Sequence, residues 1–176
     1  MLISVGTLAD QQAYWNLSAG WAQPGDSDRK LNGTTSGELE YDSGWIIEGD
    51  IGNKISDLPI AYELAISYQE NEINEASEST DVDIWTVMAN GMYLIDTSSC
   101  FTPYGLVGVG FLDYDIDKGD DTVFAGQLGA GICYSIDPTT CLNLEYRFLF
   151  TEDLEISESD VEFDSQTLQL GVTYMY

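Results

Sequence analysis

The side chains of this chain that could do chemistry are mostly carboxylates. Asp and Glu number 31 against five Lys and Arg, histidine is absent, and the formal net charge is -26. Without histidine there is no imidazole base, no Ser-His-Asp constellation and no imidazole metal ligand. One run, Asp113-x-Asp115-x-Asp117-Lys118-Gly119-Asp120-Asp121, sets oxygen donors at alternate positions, as in a calcium loop. It departs from the EF-hand pattern, because the glycine comes one place late and Phe124 stands where the bidentate glutamate belongs. Period-two Asp on a strand rising into water accounts for the run as well. Calcium or magnesium at Asp113, Asp115, Asp117, Asp120 and Asp121 is therefore carried as a candidate, and no other cofactor is expected.

The three cysteines, Cys100, Cys133 and Cys141, lack C-x-x-C spacing, so a zinc site is not expected. Nucleic acid is excluded as a partner, because binding phosphates needs a basic footprint. No window of 18 apolar residues exists, so no helix of this chain spans a membrane. Barrel strands need only about 9–11 residues each, with alternating polarity, and escape that test.

The elements that must hold these groups are strands. Residues 167–176 show the pattern most clearly. Leu168, Leu170, Val172, Tyr174 and Tyr176 share one face, and Thr167, Gln169, Gly171 and Thr173 share the other. The pattern recurs. Trp15, Leu17, Ala19 and Trp21 alternate with Asn16, Ser18 and Gly20. Trp45, Ile47 and Ile51 oppose Glu48 and Asp50. Alternation also predicts strands at 60–68, 83–96, 124–134 and 142–150, with a glycine-rich strand at 101–115 whose faces stay unassigned. Residues 24–37 and 69–80 read as polar loops.

The sum is a single domain of eight strands over residues 14–176, preceded by a loosely held segment at 1–13. Short connections alternate with long acidic ones, so one rim carries turns and the other loops. An even strand count puts both termini on the turn side. Eight strands close into a barrel just filled by side chains. Trp, Tyr, Leu and Ile are too large for that interior, whereas Gly, Ala, Ser and Asn fit. The large apolar face must point outward, and an apolar band flanked by aromatics suits lipid. The fold class is thus all-β, an eight-stranded antiparallel up-and-down transmembrane barrel.

Arg147 is the one base inside a predicted strand, and its parity directs it into the lumen. Glu145 shares its face, Glu63 lies across the ring at similar height, and Glu48 and Asp50 also point inward. A charge in a narrow lumen must be paired, so an Arg147 cluster with Glu145 and Glu63 is expected. Cys100 and Cys141 each begin a strand leaving the turn rim. Their heights match, which favours that disulfide, with Cys133–Cys141 as the rival.

Several stretches carry a resemblance: "FTPYGLVGVG" (101–110), "FAGQLGAGICYSI" (124–136), "LNLEYRF" (142–148), "VMANGMY" (87–93) and the terminal "LQLGVTYMY". Their order and spacing resemble the small eight-stranded outer-membrane β-barrels of Gram-negative bacteria, the OmpA-like transmembrane domain and porin-family surface antigens. The resemblance implies that the bacterial outer membrane holds the chain, with loops extracellular and termini periplasmic. That placement takes Met1 as the start of a mature chain. It implies outer-membrane lipid and lipopolysaccharide as surroundings, and an assembly machinery that reads the aromatic end at Tyr174 and Tyr176. Neighbouring chains are further candidate partners. It implies an Arg147 cluster that either closes the lumen or rearranges as a gate. The expected function is a structural, surface-interaction barrel with acidic loops; the alternative is a small cation-selective channel. Enzymatic activity is not expected, since the inward carboxylates leave no room for substrate and barrels of this kind that act on lipids depend on histidine.

Overall fold

The computed structural model describes residues 11–25, 27–31, 34–39, 43–75, 78–116, 119–151, 154–156, 159–161 and 164–176. Eight long strands form the barrel: β1 (Gln11–Pro24), β4 (Gly44–Ile55), β5 (Ile60–Glu75), β6 (Glu78–Leu94), β7 (Phe101–Ile116), β8 (Gly119–Ser135), β9 (Thr140–Thr151) and β12 (Asp164–Met175). Four short ones lie apart: β2 (Ser27–Leu31), β3 (Thr34–Leu39), β10 (Leu154–Ile156) and β11 (Ser159–Val161).

The barrel closes in the order β1-β12-β9-β8-β7-β6-β5-β4, with every pair antiparallel. β1 and β12 form the seam, from Tyr14↔Met175 to Pro24↔Ser165, and the Tyr176 N–H adds a bond to the Ala13 carbonyl at 2.9 Å. Closure leaves no unpaired edge, as lipid requires of a spanning sheet. Successive residues obey opposite demands. Leu170 is 67 % exposed on the outer wall while its neighbour Gln169 is 2 % exposed inside.

Tight turns join the strands at one end. In the β8–β9 turn, the Asp137 carboxylate accepts the N–H groups of Thr139 and Thr140, each at 2.9 Å, and the Thr139 hydroxyl at 2.8 Å. These bonds hold the exposed Asp137 carboxyl below its ordinary pKa.

Strands extend where the sequence reads as loop. β5 and β6 remain paired to Glu75↔Glu78, through the stretch at 69–80. Residues 24–37 contribute the β2–β3 hairpin, which pairs with β10–β11 in a second sheet of order β10-β11-β2-β3. A backbone ladder needs no apolar alternation, and beyond the lipid nothing selects for it. The first strand likewise begins at Gln11, three residues before the expected 14.

Two further corrections concern the interior. Tyr104, Leu106 and Leu112 of β7 point inward, with Val107, Val109 and Phe111 outward. Ile46, Ile84 and Met88 are also inside, so the lumen is not reserved for small residues. Space is conserved by pairing large with small. A Cβ on Gly110 would lie 2.7 Å from Met88 Sδ, and one on Gly129 would lie 2.9 Å from Leu106 Cδ2. The disulfide is Cys133–Cys141, with Cα atoms 5.8 Å apart, and Cys100 is free and exposed. Matching height was not enough for Cys100, because β8 lies between β7 and β9. Cys133 and Cys141 are diagonal neighbours on the lumen face of adjoining strands, with Ser135↔Cys141 and Cys133↔Asn143 in register.

Candidate functional site

The lumen is built from rows of directly opposed residues. In one, Tyr14 of β1 faces Gly52 of β4, which faces Glu63 of β5. In another, Tyr104 of β7 faces Gly131 of β8, which faces Glu145 of β9. Each tyrosine lies over its glycine and donates its hydroxyl to the carboxylate beyond, at 2.8 Å to Glu63 and 2.7 Å to Glu145. A Cβ on Gly52 would sit 2.5 Å from the Tyr14 ring. The first row continues through Asn90, which donates to Glu63 at 3.0 Å, and across Gly108 to Gln127, which donates to Asn90 at 2.5 Å.

Arg147 of β9 ties these rows to the opposite wall. Its Nη1 donates to Glu48 Oε2 at 2.7 Å and its Nη2 stands 2.7 Å from Glu48 Oε1. Its Nε bonds Glu145, and Glu63 is 3.8 Å away. Glu48, Glu63, Glu145 and Arg147 are all buried. Asp50 is buried beside them, takes a 2.6 Å bond from Asn16 and makes no direct ion pair with Arg147. Its Oδ1 has no hydrogen-bond partner among the described residues. Three carboxylates thus share one guanidinium, with a fourth, Asp50, beside them.

On the turn side of Arg147 a cavity of about 80 Å³ remains, lined by Tyr14, Met92, Tyr104, Asn143 and the disulfide, with Lys54 also on its wall. It has room for several waters. On the loop side Ala65, Ile84, Met88, Leu112 and Ala125 form an apolar cluster, with Val123 and Leu149 against it and the hydrogen-bonded hydroxyls of Ser67 and Thr86 set among them. Beyond it, Gln69 donates to Asn71 at 2.6 Å.

Sequence reasoning placed the carboxylates, Arg147, Asn16 and Asn90 on the lumen face, but it missed Tyr14 and Tyr104 and did not join the two asparagines to the network. Glycine at 52 and 131, on the parity of Glu48 and Glu145, was the available signal. Asp113 is exposed and faces the Thr122 hydroxyl at 3.5 Å. Asp117, and the side chains of Asp115, Asp120 and Asp121, lie outside the described residues. Among the described residues, no three acidic or cysteine side chains converge as metal ligands. At the chain's end Tyr174 packs 6.0 Å from Trp15, ring to ring, and Tyr176 is exposed.

Three solved structures share this fold. Neisserial surface protein A (NspA) is 19 % identical at a TM-score of 0.69, covering 93 % of this chain and 97 % of its own. OprG from Pseudomonas aeruginosa is 14 % identical at 0.61, covering 96 % and 98 %. The N-terminal barrel of Pseudomonas aeruginosa OprF is 16 % identical at 0.52, covering 93 % and 97 %. No curated protein matches the chain by sequence. The outer membrane protein beta-barrel domain family matches residues 1–175, and the chain belongs to it, as a protein of the bacterial outer membrane.

Proposed function

We propose that the chain is a non-catalytic, surface-interaction barrel whose lumen is closed to ions. The buried Arg147 network carries this reading. An ion crossing the lumen must displace a guanidinium bonded to two walls at once, then pass the packed side chains of Ile84, Met88 and Leu112. The lumen is then a scaffold, and recognition falls to the acidic segments beyond the long strands. These segments face outward from the cell, and the termini and tight turns face the periplasm. The acidic layer attracts calcium or magnesium, which bridges it to lipopolysaccharide or to neighbouring chains, and the aromatic terminus at Tyr174 and Tyr176 serves assembly.

Planar-bilayer recording on the folded protein tests the closed lumen. Silence at all applied voltages is expected, and sustained opening overturns it. A second reading, a small cation-selective channel, is favoured by one observation: Glu63 and Glu145 line the turn-side cavity, and the lumen holds four carboxylates against Arg147. Openings with cation preference select that reading.

A further inference from the structure

The turn-side cavity divides its hydrogen-bonding roles unevenly. At its inner end the Tyr14 hydroxyl donates to Glu63 at 2.8 Å and the Tyr104 hydroxyl donates to Glu145 at 2.7 Å. Asn143 Nδ2 donates to Asn16 at 2.9 Å and to Thr173 at 3.3 Å, and the Thr173 hydroxyl donates to Asn16 at 3.2 Å. Each nitrogen of the Arg147 guanidinium has a carboxylate partner, Nε on Glu145 and both Nη atoms on Glu48. These donors are committed to the lumen network. What the two phenols and the Thr173 hydroxyl keep is acceptor capacity, a lone pair on each oxygen. Asn143, on the same wall, has its Oδ1 buried and without a hydrogen-bond partner among the described residues.

Charge points the same way. Behind these acceptors Glu48, Asp50, Glu63 and Glu145 are buried together with Arg147, so the carboxylates outweigh the guanidinium. Low-dielectric walls focus such a field into the cleft that opens on it. The outer part of the cavity is apolar, with Ala61, Met92, Leu94 and Met175 on its sides. Leu94 and Met175 are half-buried, and so is Lys54, which is paired with Ala61 one step nearer the turns than the Gly52↔Glu63 pair. These residues mark the mouth, which opens at the turn rim.

An acceptor-lined inner end, a negative field and apolar sides suit a cation rich in donors and carrying a short chain. We propose that the turn-side cavity binds a small primary alkylammonium ion, its N–H groups on the acceptors at the inner end and its chain against Met92 and Met175. A primary ammonium brings three donors and no acceptor, which complements groups whose own hydrogens are already given away. A metal cation would leave the apolar sides unmatched. Lys54 sets the terms of entry, because its ammonium repels an incoming cation at the mouth. The proposal needs the cavity alone. It holds with the lumen closed or conducting, since the ligand enters and leaves by the turn rim.

Methyl NMR of the full chain, labelled at methionine and folded in uncharged detergent micelles, provides the test. Met92 and Met175 report on the cavity, and Met88, in the apolar cluster on the loop side, is the internal control. Added n-butylammonium should shift the Met92 and Met175 methyls saturably and leave Met88 in place. The probe n-butanol has the chain without the charge, and tetramethylammonium has the charge without N–H donors. Each should bind about tenfold more weakly. Glu145→Gln should weaken n-butylammonium binding and Lys54→Met should tighten it, each by about threefold. Heat-modifiable migration confirms that each variant is folded, and the half-buried Lys54 site keeps the test open should Glu145→Gln not fold. Equal binding of n-butylammonium and tetramethylammonium by the wild type overturns the proposal. So does a shift of Met88 together with the other two, or a Lys54→Met variant that binds no more tightly than the wild type.

Discussion

Arg147 of β9 donates to Glu48 of β4 at 2.7 Å across the lumen, at a sequence separation of 99. Two strands, β12 and β1, separate their positions on the wall. The contact is therefore a strut across the barrel and no part of the sheet ladder. Because Glu145, Glu63 and Asp50 share the same space, the guanidinium is the positive charge that, among the described side chains, bonds this set and makes it tolerable inside a membrane protein.

Arg147→Met should accordingly cost about 3–5 kcal/mol, since it strands buried carboxylates rather than removing a pair. Urea unfolding in vesicles, followed by heat-modifiable migration, measures it. Adding Glu48→Gln to that variant should recover part of the loss, with a coupling of about 0.5–3 kcal/mol. Strict additivity would show that the strut contributes nothing.

The glycines under the lumen tyrosines should tolerate no side chain. Gly52→Leu drives a side chain into the Tyr14 ring and breaks its hydroxyl bond to Glu63. A cost of roughly 1–3 kcal/mol is expected from overpacking. Gly49, three residues earlier, faces outward with nothing within 4 Å of a built Cβ. Gly49→Leu should leave stability within about 0.5 kcal/mol, and equal effects at the two sites would refute the packing argument.

What could be read from the chain follows from which forces reach the sequence. Lipid and lumen make opposite demands on neighbours such as Leu168 and Gln169, so the barrel strands were legible. β2 and β10 were not, because the backbone pairing of a strand beyond the lipid leaves no trace in apolar alternation. Arg147 stood out as a lone base on an inward parity. Its partner Glu48 could be placed on the lumen face but not against Arg147, since only closure of the ring brings β4 near β9. The β7 faces were hidden because Gly105, Gly108 and Gly110 fall on both parities.

The disulfide gives a simpler test. It closes a separation of eight residues, so chain entropy limits its contribution to about 2–3 kcal/mol. Cys133→Ser with Cys141→Ser should lower stability by that much or less, while Cys100→Ser should change nothing. Peptide mapping without reductant should recover Cys133 linked to Cys141 and Cys100 alkylated.

Asp137 should give the β8–β9 turn an acid limit. Its carboxyl titrates lower in the folded turn than in an unfolded chain, because Thr139 and Thr140 donate to the ionised form. The stabilisation is therefore complete above the unfolded value of about 3.9 and is lost as pH falls through the lower folded value. Protection of the Thr139 and Thr140 amides from hydrogen exchange, corrected for intrinsic rates, should fall only below about pH 4. Asp137→Ala should remove both the protection and its pH step. A step near neutrality would assign the effect to another group.

The acidic rim yields the last prediction. Along the tall hairpins like charges meet in register: Glu72↔Asp81, Asp83↔Asp115 and Asp115↔Asp120. Each directly opposed pair of like charge destabilises a sheet by roughly 0.2–1 kcal/mol. Simple salt weakens such repulsion by screening, over about 8 Å at physiological ionic strength. A divalent cation can do more, since it can sit between two carboxylates and convert repulsion into a bridge. Limited proteolysis of the folded barrel, in Ca²⁺ or Na⁺ at matched ionic strength, separates the two effects. Ca²⁺ should slow cleavage within 72–82 and 115–121 by more than Na⁺ does. Asp115→Asn should remove the excess in the second stretch and leave the first unchanged. If both ions protect equally, the rim is merely screened, and divalent bridging to lipopolysaccharide or to neighbouring chains loses its support.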